Sequence, residues 1–196
     1  MPTSFFAALL VALSALVAAP VAAQRYQTRA GTLSFFSKSP LEDIEARSQQ
    51  TAAVLDLGSG QTAFTVPVRS FQFERKLMQE HFNENYMESE RYPKATFAGR
   101  VAGADAAKLA AGGPQPVTAE GDLTLHGVTH RVRVPGTLEL RDGRLLVLAT
   151  FDVAPADYNI EIPALVRAHI AKSVQVRVNL SCEPVAATAP AATAKP

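Results

Sequence analysis

The sequence predicts an all-β fold, a closed or nearly closed eight-stranded antiparallel barrel with one helix inserted at about residues 74–89. Three observations predict it. Apolar and polar side chains alternate with a period of two in segment after segment, which gives each segment one inward face. Short turn dipeptides join neighbouring segments into hairpins whose inward faces agree. A single stretch leaves this rhythm for helical spacing.

The chain of 196 residues opens on an apolar run, FFAALLVALSALVAAPVAA, which ends in Val-Ala-Ala before Gln24. Small residues at that point suit a signal peptidase, and Pro20 together with the short length argues against a membrane anchor. Residues 1–23 are therefore read as a signal peptide, and the mature product as periplasmic or secreted. Residues 24–182 follow as one domain, long enough for a sizeable core. Residues 183–196, mostly Ala, Thr and Pro without periodicity, read as a flexible tail.

The first strand candidates, TLSFF, LEDIEA and TAAVLDL, are irregular, with Leu33, Phe35, Leu55 and Leu57 facing in. Residues 61–68 place Phe64, Val66 and Val68 on one face, and residues 94–102 place Ala95, Phe97, Gly99 and Val101 on one face. Farther on, Val117, Ala119, Gly121, Leu123 and Leu125 share a face, as do Val132, Val134, Gly136, Leu138 and Leu140. Val147 and Phe151 continue the pattern, and Val174, Val176, Val178 and Leu180 close it.

Three turns test whether these faces are one face. Asp142-Gly143 is a favoured type I′ pair and sets Leu140 opposite Leu145 and Leu138 opposite Val147, all apolar. A Ser59-Gly60 turn sets Leu55 opposite Phe64 and Ala53 opposite Val66. A Gly127-Val128 turn sets Leu125 opposite His130 and His126 opposite Thr129. On that register the two histidines project to different sides and are poorly placed to chelate one metal, so no metal site is expected.

In ERKLMQEHFNENYMES, Leu77, Met78, His81, Phe82, Asn85 and Tyr86 fall along one side of a helix and the glutamates elsewhere. That stripe can pack on the sheet or plug an opening. Small inward residues, among them Ala53, Ala95, Gly99, Ala119, Gly121, Gly136 and Ala149, favour a dry elongated cavity, although large and small residues also alternate in a filled, tapering barrel. The candidate cavity residues are Phe64, Val66, Phe97, Leu123, Leu125, Val134, Leu138, Val147, Phe151 and Val176 from the strands and Leu77 and Phe82 from the helix. His130, Arg131, Asp157, Tyr158 and Asn159, near a rim, are candidates to meet a head group, with turn capping and solvation as the competing reading.

A net charge of +1 lacks the basic excess a nucleic-acid partner requires. The lone cysteine, Cys182, cannot form an internal disulfide, so the core must hold the fold. The sequence has no Gly-x-Ser-x-Gly elbow, no His-Glu-x-x-His and no Cys-His set. A hydrolase would have to rest on His81 or His130, and no catalytic residue or cofactor is expected.

The stretches SFQFERKLMQEHFNENYMESERYPKATFAG and GDLTLHGVTHRVRVPGTLEL together resemble the YceI-like family, with His81-Phe82, Tyr92-Pro93, Thr96-Phe97 and the histidine hairpin as the specific parts. PADYNI, residues 155–160, resembles the family's Asp-aromatic turn, with Tyr158-Asn159 where Phe-Gly is usual. The resemblance implies a lipocalin-like barrel that encloses an isoprenoid or other long-chain lipid, without a cofactor and without a membrane span in the mature chain. A homodimer is the candidate assembly. A filled barrel acting as a non-catalytic module is the alternative.

Overall fold

The computed structural model describes residues 25–38, 43–162 and 171–185. Its strands are β1 (Arg25–Ser37), β2 (Ile44–Asp56), β3 (Gln61–Pro67), β4 (Gln72–Phe73), β5 (Lys94–Ala102), β6 (Gln115–Leu125), β7 (Val128–Arg141), β8 (Arg144–Val153) and β9 (Val174–Pro184). All but β4 form a closed antiparallel barrel in the order β1-β9-β8-β7-β6-β5-β3-β2, and β2 pairs back onto β1. The two-residue β4 is a tab on β2, with Phe73 opposite Ala46. Closure leaves the eight long strands without a free edge.

The signal peptide expected at residues 1–23 lies outside the described residues. The tail boundary moves: β9 runs on to Pro184, because Tyr26 and Gln27 pair with Pro184 and Glu183. Among the described residues no helix is long and apolar enough to cross a membrane.

The β7–β8 hairpin follows the expected register, with Leu140 opposite Leu145 and Leu138 opposite Val147. Asp142 and Gly143 have φ of 51° and 75°, as a type I′ turn requires. The other two hairpins slip by two residues. His126 and Gly127, at φ of 51° and 75°, form the β6–β7 turn, so Leu125 faces Val128 and Leu123 faces His130. Between β2 and β3 the loop is longer: Asp56 Oδ1 accepts the Ser59 N–H at 2.9 Å, and Ala53 rather than Leu55 faces Phe64. A slip of two preserves parity, so the inward set is unchanged.

Residues 44–46 of LEDIEA and 51–56 of TAAVLDL belong to one strand, β2. In β2 the inward residues change from even (Ala46, Ser48) to odd (Thr51, Ala53, Leu55) across the exposed Gln49-Gln50. The β1–β2 ladder is irregular at this point, between Thr28 and Leu33.

The inserted helix is shorter than expected. α1 (Lys76–His81) passes into a π turn, Phe82–Tyr86, where the Met87 N–H donates to the Phe82 carbonyl at 2.8 Å. The wider turn shifts the helical phase, so Asn85, expected on the inner stripe, is exposed and Met87 is buried. A second helix, α2 (Ala106–Ala111), is not anticipated by apolar spacing, since Leu109 is its only large apolar residue. Asp105 caps it by accepting the Ala107 and Lys108 N–H groups at 2.9 and 3.2 Å.

Candidate functional site

The barrel interior has two different ends. At one, Leu109 of α2 packs with Tyr26, Leu138, Leu145, Leu180 and Cys182 into a cluster without access to water. At the other, Phe82 at the end of α1 meets Phe35, Phe71 and Phe73, with ring centroids 5.0–5.8 Å apart. Between them lies a cavity of about 610 Å³, so the barrel is not filled. That volume lies within the usual range of ligand pockets, about 300–1,000 Å³.

Phe64, Val66, Phe97, Leu123, Leu125, Val134, Leu138, Val147, Phe151 and Val176 all line this space, and so do Leu77 and Phe82. Strand alternation carries the first ten inward, and the α1 stripe carries the other two across the end of the barrel. Phe71 and Phe73, in SFQF, also line it and escape notice in the sequence because β4 is too short to show a period. Met87 joins them through the π turn.

The lining is overwhelmingly apolar. Its only basic side chains among the described residues are Arg75 and His81, one just before α1 and one at its end. Leu77 between them is 62% exposed, which places α1 at the boundary between cavity and solvent. No aspartate or glutamate of the described residues lines the cavity, so His81 has no carboxylate partner within it.

The rim candidates lie elsewhere. Arg131 is turned to the outer wall, 3.7 Å from Asp122, because strand alternation sends it opposite to Val132. His130 Nε2 donates to the Asp157 carbonyl at 2.7 Å, and its ring stands edge-on to Tyr158 at 5.0 Å. Tyr158 is buried among Val68, Met87 and Ile160, and burial raises the pKa of its phenol. Asn159 ends the turn Pro155–Tyr158 in the left-handed conformation, φ 55°. None of these four side chains lines the cavity.

His126, expected on a polar hairpin end, is instead 8% exposed. Its Nδ1 donates to the Tyr158 carbonyl at 3.1 Å, its Nε2 lies 3.2 Å from Glu88 Oε1, and its ring meets Tyr92 at 4.5 Å. Both histidines of the hairpin thus bond to backbone carbonyls of the 155–158 turn. Among the described residues no three His, Cys, Asp or Glu side chains are placed to hold a metal ion.

A family model described as the YceI-like domain matches residues 25–182. A search of curated proteins returns no match. Among solved structures, a polyisoprenoid binding domain from Saccharophagus degradans, implicated in plant cell wall breakdown, superposes with a TM-score of 0.70 at 20% identity, over 83% of this chain and 99% of that one. BcnA from Burkholderia cenocepacia gives 0.66 at 20% identity over 77% and 95% of the two chains. The Campylobacter jejuni YceI protein gives 0.54 at 13% identity over 68% and 81%. At these identities the three structures share the fold with this chain.

Proposed function

Since this chain belongs to the YceI-like domain family, we propose that its barrel is a binding protein that encloses the chain of an isoprenoid or other long-chain amphiphile, without catalysis. The observation that carries the reading is the apolar cavity of about 610 Å³ inside the closed barrel, with basic groups at one end only. The polyisoprenoid-binding description of the Saccharophagus degradans relative supports the same ligand class. On this reading the tail lies deep in the barrel, and the head group meets solvent, Arg75 and His81 at α1. The apolar run at the start of the sequence supports a periplasmic or secreted site of action.

Enclosure alone supplies enough free energy. Burying about ten methylene groups gains roughly 8 kcal/mol at about 0.8 kcal/mol each. Association takes back several kcal/mol, so ten methylenes leave about millimolar binding, and about fifteen, roughly 12 kcal/mol gross, are needed for micromolar binding.

Native mass spectrometry of the purified protein, followed by solvent extraction, tests the proposal. The expected result is one copurifying isoprenoid or acyl species per chain, or uptake of a fluorescent long-chain lipid at micromolar concentration. A protein that copurifies with nothing and takes up no such lipid would falsify it.

A further inference from the structure

An amphiphile must reach the cavity through an end of the barrel, because the eight long strands close on themselves without a free edge. One end is sealed: Leu109, Leu138, Leu145, Leu180 and Cys182 pack there with at most 2% exposure. The α1 end is built differently. Neither α1 nor the π turn buries a residue completely, and no side chain caps the α1 N-terminus. Gln79 Oε1 accepts the Phe73 N–H at 3.4 Å, a long bond from α1 to β4. Asn83 Nδ2 donates to the Gln79 carbonyl within the same segment, and Asn83 Oδ1 is buried without a partner. What seats the segment is Phe82, half-buried against Phe35, Phe71 and Phe73.

The flanks are fixed. Before α1, Phe71 is buried with Ala46 and Val66, and β4 is paired to β2. After the π turn, Met87 and Ser89 are buried, Arg69 Nε donates to Ser89 Oγ at 3.2 Å, and His126 stands against Glu88. We infer that residues 74–86, strung between these anchors, are the gate of the cavity, lifting away from Phe35, Phe71 and Phe73 to admit the amphiphile and closing over it again. The inference rests on the proposed lipid-binding function and adds the route by which the ligand enters. The hinges are Glu74-Arg75, where Arg75 is still extended, and the π turn. Opening withdraws Phe82 from its aromatic neighbours, which costs apolar burial. It also hydrates Asn83 Oδ1, which recovers the desolvation of an unpaired carbonyl. These opposed changes keep the gate shut at a low cost of opening, as befits a ligand-binding segment of low local stability.

The test is the rate of uptake and of release of a fluorescent long-chain fatty acid, followed by stopped flow, together with its affinity. A gate sets how fast the ligand passes in both directions, so the two rates change together. Gln79 does not line the cavity, and Gln79→Ala removes its bond to Phe73; uptake and release should each quicken by about fivefold at unchanged affinity. Gln72→Cys with Lys76→Cys, at exposed positions on either side of the Glu74-Arg75 hinge, lets a short bismaleimide lock that hinge, while buried Cys182 does not react. The bridged protein should take up and release the probe about tenfold more slowly, and the same variant capped with a monomaleimide should follow the native rates. Native rates in the bridged protein overturn the gate, whatever Gln79→Ala does, and leave lipid binding intact. Failure of the native protein to take up the probe overturns both.

Discussion

At the scale of the residue, the tightest constraint is the glycine pair of β5 and β6. Gly99 pairs with Gly121, and a Cβ on Gly121 would stand 2.3 Å from the Ala98 carbonyl oxygen and 2.6 Å from the Gly99 Cα. Both obstacles are backbone, which cannot swing away. These glycines widen the bore by omission, and they also let two strands approach closely. Gly121→Ala should therefore cost about 1–3 kcal/mol, seen as a lower urea midpoint with an unchanged slope. A different burial effect governs Cys182, which has no exposure and whose thiol is pushed up to about 11 by desolvation. In the unfolded chain the same thiol ionises at about 8.5. The native state therefore holds the proton where the unfolded state has lost it, and stability falls as pH rises from about 8.5 toward 11. Urea titrations at pH 8 and pH 10 should show a drop that Cys182→Ala lacks. A thiol reagent at pH 8 should leave the folded protein unmodified.

At the scale of the element, α1 and its π turn close one end of the cavity, and their C-terminal end is held by a polar clamp. His126 connects Glu88, at the end of that segment, to the carbonyl of Tyr158 in the 155–158 turn. Tyr92 lies over Gly127, which has no Cβ; one there would stand 2.5 Å from the ring. His126→Ala leaves the Tyr158 carbonyl and the Glu88 carboxylate without their shared partner, at a cost of about 1–3 kcal/mol. Hydrogen exchange should then quicken in residues 82–92 and 155–160 while the β7–β8 hairpin keeps its protection. A uniform change across the barrel would show that the clamp is not local.

These elements were legible to different degrees. The β7–β8 hairpin was readable because Asp142-Gly143 is a strong local turn signal and parity agrees with it. The β6–β7 turn was misplaced by one residue, which slips the register by two, because His126, a side chain with a Cβ, occupies the left-handed position before Gly127. Its buried partners on two other elements accompany that conformation, and no local rule announces them. Likewise α2 hides in an Ala-rich stretch whose single Leu109 gains meaning only from the barrel end it seals.

At the scale of the whole molecule, closure and the inward face were already decided by the sequence. A period of two, carried through hairpins of odd and even parity, admits one consistent inner surface, and a two-residue slip cannot disturb it. The ten strand residues expected to face a cavity line it for that reason, and Leu77 and Phe82 line it through the helical stripe. What only the tertiary structure decided is which parts of that surface stay apart. Leu138, Val147 and Leu180 meet in one row because β7, β8 and β9 are neighbours, and the barrel stays hollow above them because Gly136 and Ala149 fall side by side. The same holds at the other end, where α1 crosses the bore and brings Arg75 and His81 to it, while Arg131 and Tyr158, equally near in sequence to the rim, are turned away. Alternation is a local property and survives in a string of letters. A cavity and its two ends depend on distances between residues far apart in the chain, which the packing of the closed barrel sets.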